Sequence, residues 1–261
     1  SDLILIAVPS RTLRENAIAI STSIGRSAVI VSATKGIEID SGKRMSQILS
    51  DELPANLRSN ICALSGPNLA NEIIDGKPST TVIASSNIKA AEIAQFLLSS
   101  NVFRVYTNAD IVGVEFGGSL KNIIALGAGV IDGLNYGDNA KAAFITRGLA
   151  EISRLAVKLG ANPMTLSGLS GMGDLIATCS SKLSRNYYVG EQLAAGRNID
   201  EIRSGMKNIA EGIDTTAAAV RLSRQVGIEM PITSATYKVI FDGMPVQKAV
   251  SELLGRSPIP E

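Results

Sequence analysis

The rhythm of apolar and polar positions changes part-way along the chain. In the first part, short apolar runs alternate with helical patterns. Leu3–Val8, Ala28–Ser32, Ile61–Leu64, Thr81–Ala84 and Val102–Val105 read as strands, with helices over Thr12–Ile24, Lys43–Asp51 and Ile88–Ser99. Strands alternating with helices predict β-α-β units, a mostly parallel sheet and right-handed crossovers. Leu3-Ile4-Leu5-Ile6-Ala7-Val8, ahead of Pro9-Ser10, is unbroken enough to predict a strand buried on both faces. From about Asp110 the strand signals fade. Helical periodicity then covers Val112–Ile131, Lys141–Leu159, Asp174–Ser180, Tyr187–Ala195, Thr215–Val226 and Thr233–Phe241. The expected fold class is α/β plus all-α, a parallel-sheet domain over 1–109 and a helical domain over 110–261. The junction falls near Thr107–Asp110.

Composition narrows the function. The 261 residues carry a formal net charge of only +1, with acids and bases mixed, which argues against a nucleic-acid partner. No uninterrupted apolar run reaches the ~18 residues a spanning helix needs, so stable membrane insertion is not expected. The two cysteines, Cys62 and Cys179, make no disulfide framework and point to a reducing compartment, the cytoplasm. They read as inert buried thiols. Histidine is absent, which rules out a Ser–His–Asp triad and leaves proton transfer to Lys, Asp, Glu, Tyr or Cys. No metal site is expected. The chain opens on a strand with no Met and no lead-in, so a preceding segment is expected.

Several clusters could carry chemistry. In Gly117-Gly118-Ser119-Leu120-Lys121-Asn122, helical spacing places Lys121 on a face with Gly117, Ala125 and Ala128. Small neighbours leave space beside a lysine whose pKa burial would lower. A snorkelling lysine at a helix contact fits the pattern as well. In Ser170-Gly171-Met172-Gly173-Asp174, the glycines read as a turn and Asp174 opens a helix with Thr178 on the same face. Asp174 could equally be an ordinary helix-start acid. Ser184-Arg185-Asn186 precedes a helix and reads either as an anion site or as a cap beside an exposed arginine. Thr34-Lys35-Gly36 and Ser65-Gly66-Pro67 follow strands, at the sheet edge where ligands bind in open α/β folds, or are plain turns. Pro67 is placed to open a helix. Asn208-Ile209-Ala210-Glu211-Gly212 suggests no mechanism of its own.

Taken together with Val31-Ser32-Ala33, Leu64, Glu115-Phe116, Gly137-Asp138-Asn139-Ala140-Lys141-Ala142-Ala143 and Leu175, these segments stand in an order and spacing that resembles the NAD(P)-dependent glycerol-3-phosphate dehydrogenases. The resemblance runs from about Asp2 to the C-terminus. It implies a Rossmann domain followed by a helical domain, with the active site between them. It implies NAD or NADP as cofactor, and glycerol 3-phosphate and dihydroxyacetone phosphate as the substrate pair, feeding glycerophospholipid synthesis. A homodimer is also implied. Lys121 would be the general base for oxidation and the acid for reduction. Lys35, Gly66, Asn68, Lys121, Asn122, Asp174, Thr178, Ser184, Arg185 and Asn186 would contact the substrate, and Lys35, Ala70, Arg185, Ile209 and Glu211 the cofactor.

The sequence departs from that pattern in two places. Asn68 stands where bacterial members usually carry Ser or Thr. The G-x-G-x-x-G loop that the family places on its first strand lies before Ser1, since Gly168, Gly171 and Gly173 follow no strand. On the order of 60 residues or more would hold it. A chain starting at Ser1 is therefore expected to have an incomplete Rossmann domain and an open sheet edge prone to self-association. Very weak dinucleotide binding and no measurable turnover are expected of it. Two other readings remain at this point: a related two-domain hydroxy-acid or sugar-acid dehydrogenase, and a non-catalytic binding or structural protein.

Overall fold

The structure, a computed structural model, describes residues 2–206 and 209–257, so Ser1 and Asn208, named above, lie outside it. Five strands form one sheet in the order β1 (Leu3–Ile6), β2 (Val29–Ser32), β3 (Ile61–Ser65), β4 (Ser79–Ala84) and β5 (Phe103–Asn108). Helices α1 (Leu13–Ile20), α2 (Met45–Glu52), α3 (Ala70–Ile74) and α4 (Ile88–Leu98) lie in the four connections. Every neighbouring pair is parallel except β3 and β4. The length of the connection explains the reversal. The five residues of α3 rise only ~8 Å, too little to return along a six-residue strand of ~20 Å. The chain instead turns back at Gly66, where a Cβ would lie 2.9 Å from the Thr81 Cα.

The inner strands β2 and β3 are apolar up to a serine at the last position of each, because both faces are covered. On β2, Val29 and Val31 pack with Cys62, Ile83 and Ala91, while Ile30 packs with Leu13, Ile48 and Leu49. β1 corrects the sequence expectation. Among the described residues it is an edge strand, and Leu5 is 49% exposed. Pro67 is a second correction. It lies in the turn ahead of α3, which begins at Ala70.

The second half contains α5 (Ile111–Gly133), α6 (Gly137–Lys158), α7 (Pro163–Leu166), α8 (Asp174–Ser180), α9 (Arg185–Ala194), α10 (Ile199–Ser204), α11 (Glu211–Val226), α12 (Pro231–Phe241) and α13 (Val246–Leu254). A π-helical turn, Leu169–Gly173, leads into α8. Asp110 starts α5 by accepting the Gly113 N–H at 2.8 Å. α5 is long and apolar enough to cross a membrane, which a count of uninterrupted apolar residues missed. Its most apolar window is 83% buried inside the protein, so it serves as the core helix of this half. It crosses α9 where both helices carry glycine. A Cβ on Gly129 would collide with the Tyr187 carbonyl oxygen, and one on Gly190 with that of Leu126.

The two halves are bonded together across their junction. Glu115 of α5 accepts the Ser46 N–H at 2.7 Å, the Ser46 hydroxyl at 2.6 Å and the Arg44 guanidinium. The Ser119 hydroxyl donates to the Gly36 carbonyl at 3.1 Å, and Arg11 forks onto Asp214 of α11.

Candidate active site

The junction between the halves holds a buried charge cluster. Lys121, midway along α5, is 6% exposed and Asp174, the first residue of α8, is 1% exposed. The Lys121 ammonium donates to Asp174 Oδ1 and, at 2.6 Å, to the Thr178 hydroxyl. That hydroxyl in turn donates to the Asp174 carbonyl at 2.6 Å, so the i, i+4 pair reads as the sequence spacing predicted. Lys35, in the loop after β2, donates to Asp174 Oδ2 at 2.6 Å and to the Gly66 carbonyl at 3.1 Å. The Ser65 hydroxyl stands 3.5 Å from the same carboxylate oxygen. One carboxylate therefore orients two lysines that come from opposite halves of the chain.

Glycines make this approach possible. A Cβ on Gly118 would collide with the Ser65 hydroxyl and touch the Lys35 side chain, and one on Gly117 would sit 2.6 Å from the Ser170 carbonyl oxygen. Gly117, on the small face read from the sequence, seats α5 against the π-helical turn, and Gly118, outside that face, seats it against the end of β3, with the Asp174–Thr178 face closing over the lysine. Burial is the largest influence on the Lys121 ammonium and drives its pKa down. Asp174 opposes the shift, Lys35 adds to it, and the pKa falls to about 8. Burial raises the two thiols, Cys62 to about 11 and Cys179 to about 12, so neither is a nucleophile near neutrality.

A second network adjoins the first through Asn122. The Asn186 amide donates to Asn122 Oδ1 at 2.9 Å and accepts the Gly212 N–H at 2.9 Å, joining α5, α9 and α11. The helix after Ser184 starts at Arg185, two residues earlier than expected. Ser184 is the cap, accepting the Tyr187 N–H at 3.3 Å, and Arg185 opens the helix with its side chain exposed. Arg185 makes no ion pair among the described residues. Glu211 accepts the Ser10 N–H at 3.0 Å and the Ser10 hydroxyl, closing the loop after β1 over Gly36. Asn68 is bonded to the Thr81 hydroxyl at 2.8 Å, Ala70 is exposed at the start of α3, and Ile209 is 39% exposed.

The structure thus joins Lys35, Gly66, Lys121, Asp174 and Thr178 directly. Asn122 and Asn186 are bonded to each other in the adjoining network, and Glu211 is bonded to Ser10 beside Gly36. Sequence reading gave no role to Ser10, Arg11, Arg44, Glu115 or Asp214, which hold the loops together, and it marked Ser65 only as part of the Ser65-Gly66-Pro67 loop. Ser10 and Glu211 are 201 positions apart, and no local pattern marks such a pair. A cleft of about 530 Å³ between α5, α6, α12 and α13 is apolar and shares no lining residue with this cluster.

Known proteins are similar to this chain along nearly its whole length. Residues 1–91 match the family described as NAD-dependent glycerol-3-phosphate dehydrogenase N-terminus, and residues 110–251 match the corresponding C-terminus. A glycerol-3-phosphate dehydrogenase (NAD(P)+) of Dehalococcoides mccartyi is 52% identical over 254 residues, 97% of this chain and 71% of that protein. One of Chlorobium luteolum is 51% identical over 261 residues, 100% and 78% of the two chains. The crystal structure of the Coxiella burnetii glycerol-3-phosphate dehydrogenase superposes with a TM-score of 0.92 at 36% identity, covering 98% of this chain and 77% of that one. With both halves matched and relatives this similar along nearly its whole length, the chain belongs to the NAD-dependent glycerol-3-phosphate dehydrogenase family.

Proposed function

We propose that this protein interconverts sn-glycerol 3-phosphate and dihydroxyacetone phosphate with NAD or NADP, and that Lys121 moves the proton. The observation that carries this reading is the pair of lysines held by Asp174. A neutral amine has two N–H donors and one lone pair. With its two donors on Asp174 and Thr178, neutral Lys121 keeps the lone pair for the proton of the substrate alcohol. In the reverse direction, protonated Lys121 returns it to the carbonyl oxygen. Both Asp174 oxygens are occupied by lysines, so its role is to orient them and to balance their charge. Lys35, with an N–H to spare, faces the substrate oxygen from the sheet side.

The phosphate end is assigned to the start of α9. Arg185 is exposed there and makes no ion pair among the described residues, and its planar fork matches a phosphate. Substrate contacts are further assigned to Gly66, Asn68, Asn122, Thr178, Ser184 and Asn186. The loops after β1 and β2 meet at the carboxyl edge of parallel strands, the usual dinucleotide position. Lys35 and Arg185 supply positive charge for its phosphates, so the residues present fit the cofactor. Lys35, Ala70, Arg185, Ile209 and Glu211 would hold it, and when bound it gives or takes the hydride. The division into a cofactor domain over 1–109 and a substrate domain over 110–261 follows from placing the site at the Asp110 junction.

Two further readings belong here. Exposed Tyr136, Phe241 and Leu254 beside the apolar cleft support a homodimer. Two buried, unpaired thiols support a reducing compartment, the cytoplasm.

The test is phosphate dependence in the full-length protein. Dihydroxyacetone phosphate should be reduced with NADH or NADPH far faster than dihydroxyacetone. Arg185→Lys keeps the charge and loses the fork, and it should raise KM for the phosphorylated substrate or for the cofactor. If both constants stayed at wild-type values, Arg185 would be an ordinary helix-start residue. Equal use of the two ketones would remove the phosphate assignment.

A further inference from the structure

The segment from Gly137 to Ala143 stands apart from the chemistry above, yet it contributes to a partly buried polar cluster. Lys141, in the second turn of α6, lies 2.5 Å from Asp132 Oδ2 near the end of α5. The Tyr187 phenol, from the first turn of α9, donates to the same oxygen. The Lys141 ammonium also lies 5.3 Å from the centroid of the Tyr187 ring, close enough for a cation–π contact. Tyr187 is 3% exposed. Burial and the bond to Asp132 raise the phenol pKa. Burial would raise that of Asp132, but the bonds from Lys141 and Tyr187 outweigh it and lower it. The Asp132 carboxylate and the Tyr187 phenol therefore keep their forms across the neutral range, and with the Lys141 contacts they make a fixed joint.

We propose that Asp132, Lys141 and Tyr187 are positioning residues for the phosphate-binding start of α9, a role that rests on the assignment of Arg185 above. Asn186 and Tyr187 are neighbours in sequence but reach α5 in opposite directions. Asn186 bonds to Asn122, beside Lys121, and Tyr187 bonds to Asp132. Those attachments are ten residues apart (132 − 122), or ~15 Å along the helix axis. Between them the Tyr187 backbone lies against Gly129, where no side chain intervenes. A helix start held at one point can pivot about it. One held at two points this far apart cannot. Lys141 completes the second point from α6, so the Arg185 fork keeps one distance from Lys121. Substrate bound by its phosphate then presents carbon 2 to the lysine without a search.

The experiment compares two substrates in the full-length protein. In Lys141→Met and in Tyr187→Phe, KM for dihydroxyacetone phosphate should rise roughly tenfold, the value of one charge-assisted hydrogen bond, with kcat within about twofold. The double variant should be little worse than either single one, because both act through one joint. Lys141→Arg should restore most of the affinity. The kcat/KM for dihydroxyacetone, which has no phosphate to place, should stay unchanged in all of them. An unchanged KM for the phosphorylated ketone in both single variants would overturn the proposal. So would a parallel loss with dihydroxyacetone, which marks general damage to the fold. Arg185→Ala separates the two assignments. If it leaves KM for dihydroxyacetone phosphate unaltered, the phosphate site itself is elsewhere and the positioning role falls with it. If it raises that KM while Lys141→Met and Tyr187→Phe do not, the positioning role fails alone.

Discussion

Replacing Lys121 by alanine or methionine in the full-length protein should lower kcat by roughly 10²–10⁴-fold, the usual contribution of a general acid–base group. No other side chain in the cluster can substitute. Lys35 is engaged by Asp174 Oδ2 and the Gly66 carbonyl, Thr178 is not basic, and the chain has no histidine. The fold should survive, because Asp174 keeps Lys35 as its counter-ion when Lys121 is removed. Methionine is the better probe, since it fills nearly the same volume in a buried place. Steady-state kinetics with a thermal melt on the same sample separates the outcomes. Turnover within a few-fold of wild type in a folded Lys121→Met protein would make Lys121 a packing lysine, the other reading its sequence context allowed.

Asp174→Asn should be nearly as damaging, for a different reason. The carboxylate offers one oxygen to each lysine. An asparagine offers one oxygen and one amide, and the amide donors would face an ammonium whichever way the side chain turns. One lysine therefore loses its anchor, and both lose the compensating charge. Breaking a buried pair costs about 3–5 kcal/mol when the remaining charge is trapped. Here Lys121 can shed its proton and Lys35 is partly exposed, so the loss in stability should stay below ~3 kcal/mol. Activity should fall by ~10² or more, because the acid–base geometry is lost. Asp174 is also the influence that holds the Lys121 pKa up against burial. The residual oxidation activity of the variant should therefore rise through a midpoint below about 8. A variant with wild-type kcat and an unmoved pH midpoint would show that Asp174 does not orient Lys121.

The order of strands and helices was legible because each depends on local periodicity. Asp174–Ser180 stands where it was read, and β2 and the helices α5 and α11 differ from the reading only at their ends. The helices α7 and α10 were missed because four to six residues carry too little periodicity to register, α3 was read only as a helix opening at Pro67, three residues early, and the nine-residue α13 was not read. The antiparallel direction of β4 was not read because strand direction depends on the length of a connection, and the helix expected at Pro67 had been given no end. Lys121 and Asp174 were legible as candidates, but each alone fitted an ordinary structural role. Their pairing lies 53 positions apart and became visible only in space. Only the joint spacing of many short segments, read as a family resemblance, placed them in one site. Ser10 and Asp214 gave no signal at all, and Glu115 stood only within a segment of the family resemblance, with no role attached. A carboxylate that caps a distant helix or clamps a distant loop looks in sequence like any helical acid.

The most direct test of the account is the pH dependence of kcat in both directions, measured on the same full-length preparation. Lys121 has to be neutral to accept the alcohol proton and protonated to supply one to the ketone. Its pKa, lowered by burial to about 8, falls inside the accessible range. Oxidation of glycerol 3-phosphate should therefore rise with pH through a midpoint near 8, and reduction of dihydroxyacetone phosphate should fall through the same midpoint. Both limbs should disappear from the residual activity of Lys121→Met. Profiles that run parallel, stay flat from pH 6 to pH 10, or keep their midpoint in Lys121→Met would contradict the assignment of proton transfer to this lysine.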